Sequence, residues 1–388
     1  MKKIYIPKKG KTTVIMIVAK TGSRFEIDTH KGISHFIEHM CFKGTKKRTQ
    51  KEINLGIEKY GGDINAFTGE EVTTYWAKIS NEYKKEATDI IVDLASNPVF
   101  PIKEIVKERQ VILQELKMYE DNPMYYIEEL LNKNLYRKSS GLYLPIIGTK
   151  ETLNNINRKE LINYHNTNYR DLILILVGDV NKLDTYKDKK SKTDNAYSEV
   201  NTNNLNKKIL VTKPDISQAN VIIANDIRIS NNKLDDMFAL RLLRAVYNDM
   251  SGRLFTVIRE KHNLVYYVRF YFNVHSCDSV KWEVDLGLEK NKINQAYDLI
   301  MEELTRPLTK KEIQYALDKE LGSLDIYLDD NKNIARKVVD CVFQNVDYRE
   351  MLYNYRKHLR NASRNINKYQ EQINFKKNIL VGLVPRGK

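Results

Sequence analysis

The sequence predicts an α+β chain built from two related mixed domains, and three observations carry that prediction. Residues 181–208 are polar and rich in Lys, Asn, Asp, Ser and Thr. They lie between the apolar runs Leu172-Ile-Leu-Ile-Leu-Val-Gly178 and Ile209-Leu-Val-Thr212, both of which read as buried strands. Each half then runs from strand to helix to strand and through further helices to a closing strand, in the same loose order. A length of 388 residues suffices for two or three large cores. The predicted boundaries are a first domain at 1–185, a linker at 186–208 and a second domain at 209–388.

The start, MKKIYIPKKGKTTVIMIVAKTG, combines lysines with an apolar run as a signal peptide does. The run is short, begins after Lys11 and lacks an A-x-A cleavage site, so it reads as the first strand of a protein that stays in the cytoplasm. The next segment carries His35-Phe-Ile-Glu38-His39. Steps of three and four residues place His35, Glu38 and His39 on one face of a helix. EVTTYWAKIS alternates as a strand, and three helical stretches then lead to LILILVGDV. One of these, 103–120, repeats apolar residues at Ile105, Val106, Ile112, Leu113 and Leu116 and carries Glu104, Glu108 and Glu115. In the second half QANVIIAND is strand-like, NKLDDMFALRLLRAVYND is helical, VYYVRFYFNV and KWEVDLGLE are strands, and helices lead to a last strand at NILVGLVP.

Zinc accepts neutral imidazole nitrogens, and a catalytic site takes three protein ligands and keeps one position open. His35 and His39 supply two ligands, and Glu38 stands beside the open position as a base for water activated there. Such a motif arises by chance on the order of once in 100 chains of this histidine content, and paired helical histidines also occur as plain surface residues. The third ligand is sought on 103–120, where Glu108 and Glu115 stand seven apart on one stripe; one would coordinate while the other orients a ligand. Without the histidines the same stripe reads as a solvated acidic face. The pattern predicts a hydrolase.

The runs GISHFIEHMCFKGT, GGDINAFTGEEVTTYW and ERQVILQELKMYEDNP resemble the pitrilysin (M16) family of zinc metallopeptidases, within it the bacterial processing-protease branch that is similar to the mitochondrial processing peptidase. The resemblance implies one Zn2+ per chain held by His35, His39 and Glu115, with Glu108 orienting a ligand and Glu38 as catalytic base. It implies that Asn65, Ala66 and Phe67 form an edge strand that pairs with an extended substrate backbone. Residues 253–267, RLFTVIREKHNLVYY, resemble the segment that carries an Arg–Tyr pair in the family's C-terminal domain. Arg259 and Tyr266 hold that spacing and would bind substrate and stabilise the transition state. Two departures stand out: YNDMSGRLF retains only Gly252, and Asn263 replaces a glycine at a turn that still tolerates a left-handed backbone.

The family's chamber is a clam-shell of four such domains, and this chain supplies two, so the resemblance implies a homodimer with shared active sites. The implied activity is that of a bacterial zinc endopeptidase cutting peptides or unfolded segments. The alternative is a non-catalytic scaffold or core subunit of the same fold, although such relatives lose part of the metal set that is complete here. A structural zinc site would close with four ligands rich in cysteine.

Net charge is +14, but residues 1–50 and 351–388 carry the excess. No nucleic-acid-binding signature accompanies it, so a nucleic-acid partner is not expected. No segment approaches the roughly 20 apolar residues of a membrane span. Cys41, Cys277 and Cys341 form no C-x-x-C pair, which suits a reducing compartment, and Cys41 reads as a packed thiol.

Overall fold

The structure, a computed structural model, describes residues 1–180, 200–203, 205–228, 233–275 and 279–386. They form two compact units, each built on a five-stranded mixed sheet. In the first unit β1 (Lys2–Pro7), β2 (Thr12–Ala19), β3 (Asp63–Thr68), β4 (Thr73–Ser80) and β5 (Ile173–Gly178) take the order β1-β5-β2-β4-β3. In the second, β6 (Lys207–Thr212), β7 (Ala219–Arg228), β8 (Val265–His275), β9 (Ser279–Leu288) and β10 (Ile379–Val384) take the order β6-β10-β7-β9-β8. Both orders place first beside last, then second, fourth and third. In each sheet the first and last strands pair in parallel and the other neighbours are antiparallel. The two domains are thus related in topology as well as in composition.

The central strands read as unbroken apolar runs because both faces are covered. In the first sheet Ile15, Ile17, Ala19, Tyr75, Ala77, Leu174 and Leu176 share one core with the helices Ile33–Cys41 and Lys84–Ser96. Side chains alternate along a strand, so Trp76 and Lys78 point the other way. There Lys332 lies over the Trp76 ring, Lys78 pairs with Asp330 at 2.7 Å, and the helix Asn331–Phe343 packs across β2 and β5 with Ile334, Val338 and Val342 buried. In the second sheet, Ile222, Ala224, Ile379, Val381 and Leu383 pack against Ile127, Leu131 and Leu135 of the helix Pro123–Leu135.

The compact units are therefore not contiguous halves. The first comprises Met1–Tyr119, Leu144–Tyr197 and Tyr327–Phe343, and the second takes Glu120–Tyr143 with the remainder. The predicted linker 186–208 lies largely outside the described residues. Three local readings change. TVIMIVA is the second strand rather than the first, because Lys2–Pro7 pairs in parallel with β5. Ile209-Leu-Val-Thr212 is an edge strand that alternates between exposed and half-buried positions, not a buried one. Between β4 and β5 five α-helices and two short 3-10 turns stand among the described residues in place of three helical stretches. One division falls at Asn122-Pro123, where the Asn122 side chain accepts the Met124 N–H and Pro123 opens a new helix.

Cys41 and Cys341 are buried, and Cys277 lies outside the described residues. The arginine of the RLF run, Arg253, is buried and bonds Glu312 through two nitrogens at 2.8 and 2.7 Å, and the Glu303 and Arg306 carbonyls at 2.7 Å. This fork holds together the second unit's packing around Arg306. No described helix is long and apolar enough to cross a membrane.

Candidate metal centre

The helix Ile33–Cys41 buries Ile33, Phe36, Ile37, Met40 and Cys41 and turns His35, Glu38 and His39 to its half-buried side. Its start is fixed from outside the helix. Gly32 has φ +94°, and a Cβ there would lie 2.4 Å from the Ile147 carbonyl oxygen, so glycine is required. The buried Glu26 carboxylate accepts the N–H groups of Gly32 at 2.8 Å and Ser34 at 2.7 Å, placing an anion on the positive end of the helix. Buried Lys31 donates to the Ser23 carbonyl at 2.6 Å and lies beside this carboxylate. Gly32, with no side chain to cap, holds the position before the helix, so this cap was not visible in the sequence.

Three of the expected residues converge. The Nε2 atoms of His35 and His39 lie 3.9 and 3.6 Å from Glu115 Oε2, and one donor atom from each residue falls within 4.8 Å of the others. Donors around one zinc at about 2.0–2.2 Å stand roughly 3.4 Å apart, so this set fits zinc with little movement. Burial and the neighbouring His39 push the His35 imidazole down to about 3, which keeps it neutral as a ligand must be.

The orienting groups are equally specific. Glu108 Oε1 accepts from His39 Nδ1 at 2.9 Å, which turns the Nε2 lone pair toward Glu115. Lys43 Nζ stands 2.6 Å from Glu108 Oε2. Burial pushes the Glu108 carboxyl up, but the hydrogen bonds and charges of His39 and Lys43 outweigh it and hold the carboxyl below its ordinary value. Tyr119 donates its hydroxyl to Glu115 Oε1 at 2.7 Å, leaving Oε2 to face the imidazoles. Tyr119 was missed in the sequence, although its place four residues beyond Glu115 on the same helix is a usable signal.

Glu38 is half-buried, and Thr68 Oγ1 donates to its Oε2. Burial pushes this carboxyl up, the Thr68 hydrogen bond and His39 oppose the rise, and Glu115 adds to it. Thr68 ends β3, the edge strand that holds Asn65, Ala66 and Phe67. The Ala66 N–H is taken by the Asn65 side chain at 2.7 Å rather than by a second strand.

Arg259 and Tyr266 meet within the second unit through two backbone irregularities. Phe255–Lys261 is a π-helical turn, and a β-bulge between Val265 and Tyr267 leaves Tyr266 without a cross-strand partner on β9. The Arg259 guanidinium lies 6.0 Å from the Tyr266 ring centre and 4.7 Å from that of Phe255, and Tyr266 is 70% exposed. Asn263 has φ +48°, as expected of the glycine substitute.

Two family models match in succession: Insulinase (Peptidase family M16) over residues 4–150, and Peptidase M16 inactive domain over 155–320. A Bacillus subtilis protein described as the uncharacterized zinc protease YmxG is 32% identical over 81% of this chain and 79% of its own length. The bovine mitochondrial-processing peptidase subunit beta is 36% identical over 42% of this chain and 34% of that protein. Among solved structures, a protease from Helicobacter pylori superposes with a TM-score of 0.85 at 18% identity, covering 99% of this chain and 96% of that one. A peptidase M16 inactive domain from Pseudomonas fluorescens gives 0.82 at 16% identity, covering 99% and 95%. These two share the fold. Matching in both of its domains, and in sequence across most of its length, the chain belongs to peptidase family M16.

Proposed function

We propose that the protein is a zinc endopeptidase acting on peptides and unfolded segments. The observation that carries this is the convergence of His35 Nε2, His39 Nε2 and Glu115 Oε2, with Glu38 from the same helix face beside them. Bound zinc supplies Lewis acidity for activating water and polarising a carbonyl. Glu38 takes the proton of the attacking water and later delivers it to the leaving amine; its Oε2 is held by Thr68, so Oε1 is the oxygen available. Asn65, Ala66 and Phe67 hold the substrate in extended form by strand addition, with the Asn65 side chain giving up the Ala66 N–H as the substrate arrives. Tyr266 donates to the developing oxyanion and Arg259 binds substrate.

One zinc per chain and a homodimer complete the proposal. The enclosed site needs four domains, and two copies supply them, the Arg259–Tyr266 pair of one serving the His35–Glu38–His39 centre of the other. A cytoplasmic, bacterial setting suits a chain whose sparse cysteines form no C-x-x-C pair. The test is hydrolysis of a mixed peptide library by the zinc-loaded protein, with and without chelator. Cleavage abolished by chelator and restored by zinc is expected, whereas no cleavage at full zinc occupancy would favour the scaffold reading.

A further inference from the structure

We infer that Thr68 is a positioning residue that ties Glu38 to β3, so that a substrate strand pairing with Asn65–Phe67 also aligns the base. The inference rests on the peptidase reading above. Among the described residues the Thr68 hydroxyl is the one hydrogen-bond donor to the half-buried Glu38 carboxylate. Without it the carboxylate has no fixed rotamer about its last bond. Threonine fixes the direction of that bond better than serine, because its β-branch restricts χ1 on a strand.

The other end of the link is the strand itself. Thr68 is the last residue of β3 and stands opposite Thr73 of β4, whose hydroxyl donates to the Thr21 carbonyl at 3.0 Å. One side of this strand end is therefore pinned. The other side of β3 is an open sheet edge, where Asn65 occupies the Ala66 N–H. A substrate that pairs there stiffens β3 up to the residue that holds the base. Alignment energy gained in this way acts on the reacting geometry, so it appears in kcat rather than in KM.

The experiment compares Thr68→Val and Thr68→Ser on two peptides. One is long enough to pair with all six residues of β3, and the other is truncated to the scissile bond and its neighbours. Zinc per chain is measured in every variant, and the binding constant of the long peptide is measured in a Glu38→Gln background, where turnover does not interfere. Thr68→Val is expected to keep zinc and to bind the long peptide within about twofold of its parent, yet to lose about tenfold or more in kcat on that peptide. Thr68→Ser should recover most of the loss, and the kcat advantage of the long peptide should shrink in Thr68→Val. Unchanged kcat in Thr68→Val, an equal defect in Thr68→Ser, or a retained long-peptide advantage would overturn the inference. Loss of zinc or of peptide binding in Thr68→Val would overturn it in favour of a role in the fold alone. Those results leave an active wild type; a zinc-loaded wild type that cuts neither peptide would instead sink the peptidase reading and this inference with it.

Discussion

Replacing Glu108 tests how much of the metal affinity resides outside the three ligands. Its Oε1 fixes the His39 ring at 2.9 Å and its Oε2 faces Lys43 at 2.6 Å, with only 8% of the side chain exposed. Glu108→Ala removes the acceptor from His39 Nδ1, frees the ring to rotate its Nε2 away from Glu115, and leaves the Lys43 ammonium without its partner. An orienting carboxylate of this kind contributes about 10–100-fold in metal affinity, equivalent to roughly 1.4–2.7 kcal/mol. The doubly connected, mostly buried position places Glu108→Ala toward the upper end. Glu108→Gln keeps an oxygen for His39 but turns an amide N–H2 onto Lys43, donor against donor, so it should fall near the lower end. Competition against a chromogenic chelator reads both dissociation constants, and circular dichroism checks the fold. A Glu108→Ala protein that folds and binds zinc within about twofold of wild type, or one that binds tighter than Glu108→Gln, refutes the reasoning.

Three further outcomes are expected. Glu38→Gln should retain zinc by elemental analysis and lose at least about 10²-fold in kcat; near-normal turnover would move the base elsewhere. Glu38→Gln co-expressed with Arg259→Ala/Tyr266→Phe should regain up to about half the wild-type rate per mixed dimer, since one of its two sites is whole; verified mixed dimers without activity would mean that each site is built within one chain. Asp285 on β9 gives a pH signature: burial, then Glu283 and Glu128, push its carboxyl from 3.8 up to about 7. The folded protein holds this proton more tightly than the unfolded chain, so the associated stability is full below about pH 3.8 and drains away as pH rises to about 7. Asp285→Asn should therefore raise the denaturation midpoint relative to wild type at about pH 8 and not at about pH 4, and equal shifts at both would contradict the assignment.

The residues that converge were legible because their spacing is chemical and local: His35, Glu38 and His39 share one helix, and Glu108 and Glu115 share another. The resemblance, not the periodicity, distinguished Glu115 from Glu108. What escaped the sequence is non-local. β1 is a short edge strand, Lys-Lys-Ile-Tyr-Ile-Pro, and its partner β5 lies far along the chain at Ile173–Gly178. Glu26 caps a helix that begins seven residues later in the chain, through a loop that turns on Gly32. Thr68 touches Glu38 only because β3 runs alongside the motif helix. The boundary between domains misled for a related reason. A polar stretch marks where the chain leaves a sheet, but it does not reveal that Pro123–Leu135 and Asn331–Phe343 each pack in the unit of the other half.

That exchange of helices governs how the protein can be made. A growing chain has all five strands of its first sheet once Gly178 has emerged, yet the helix that covers β2 and β5 is complete only at Phe343. At about 5–20 residues per second the wait is on the order of ten seconds or more. During it, the face bearing Met16, Val18, Ile173 and Ile175 has no permanent cover. The early helix Pro123–Leu135 waits longer still, because its sheet gains β10 only at Val384. Both units therefore close late and in close succession, the first with the helix ending at Phe343 and the second with the strand ending at Val384. A ribosome stalled between Gly178 and Asn331 would release a bare sheet and an orphan helix rather than a finished domain, and such a product is a natural client for chaperones and proteases.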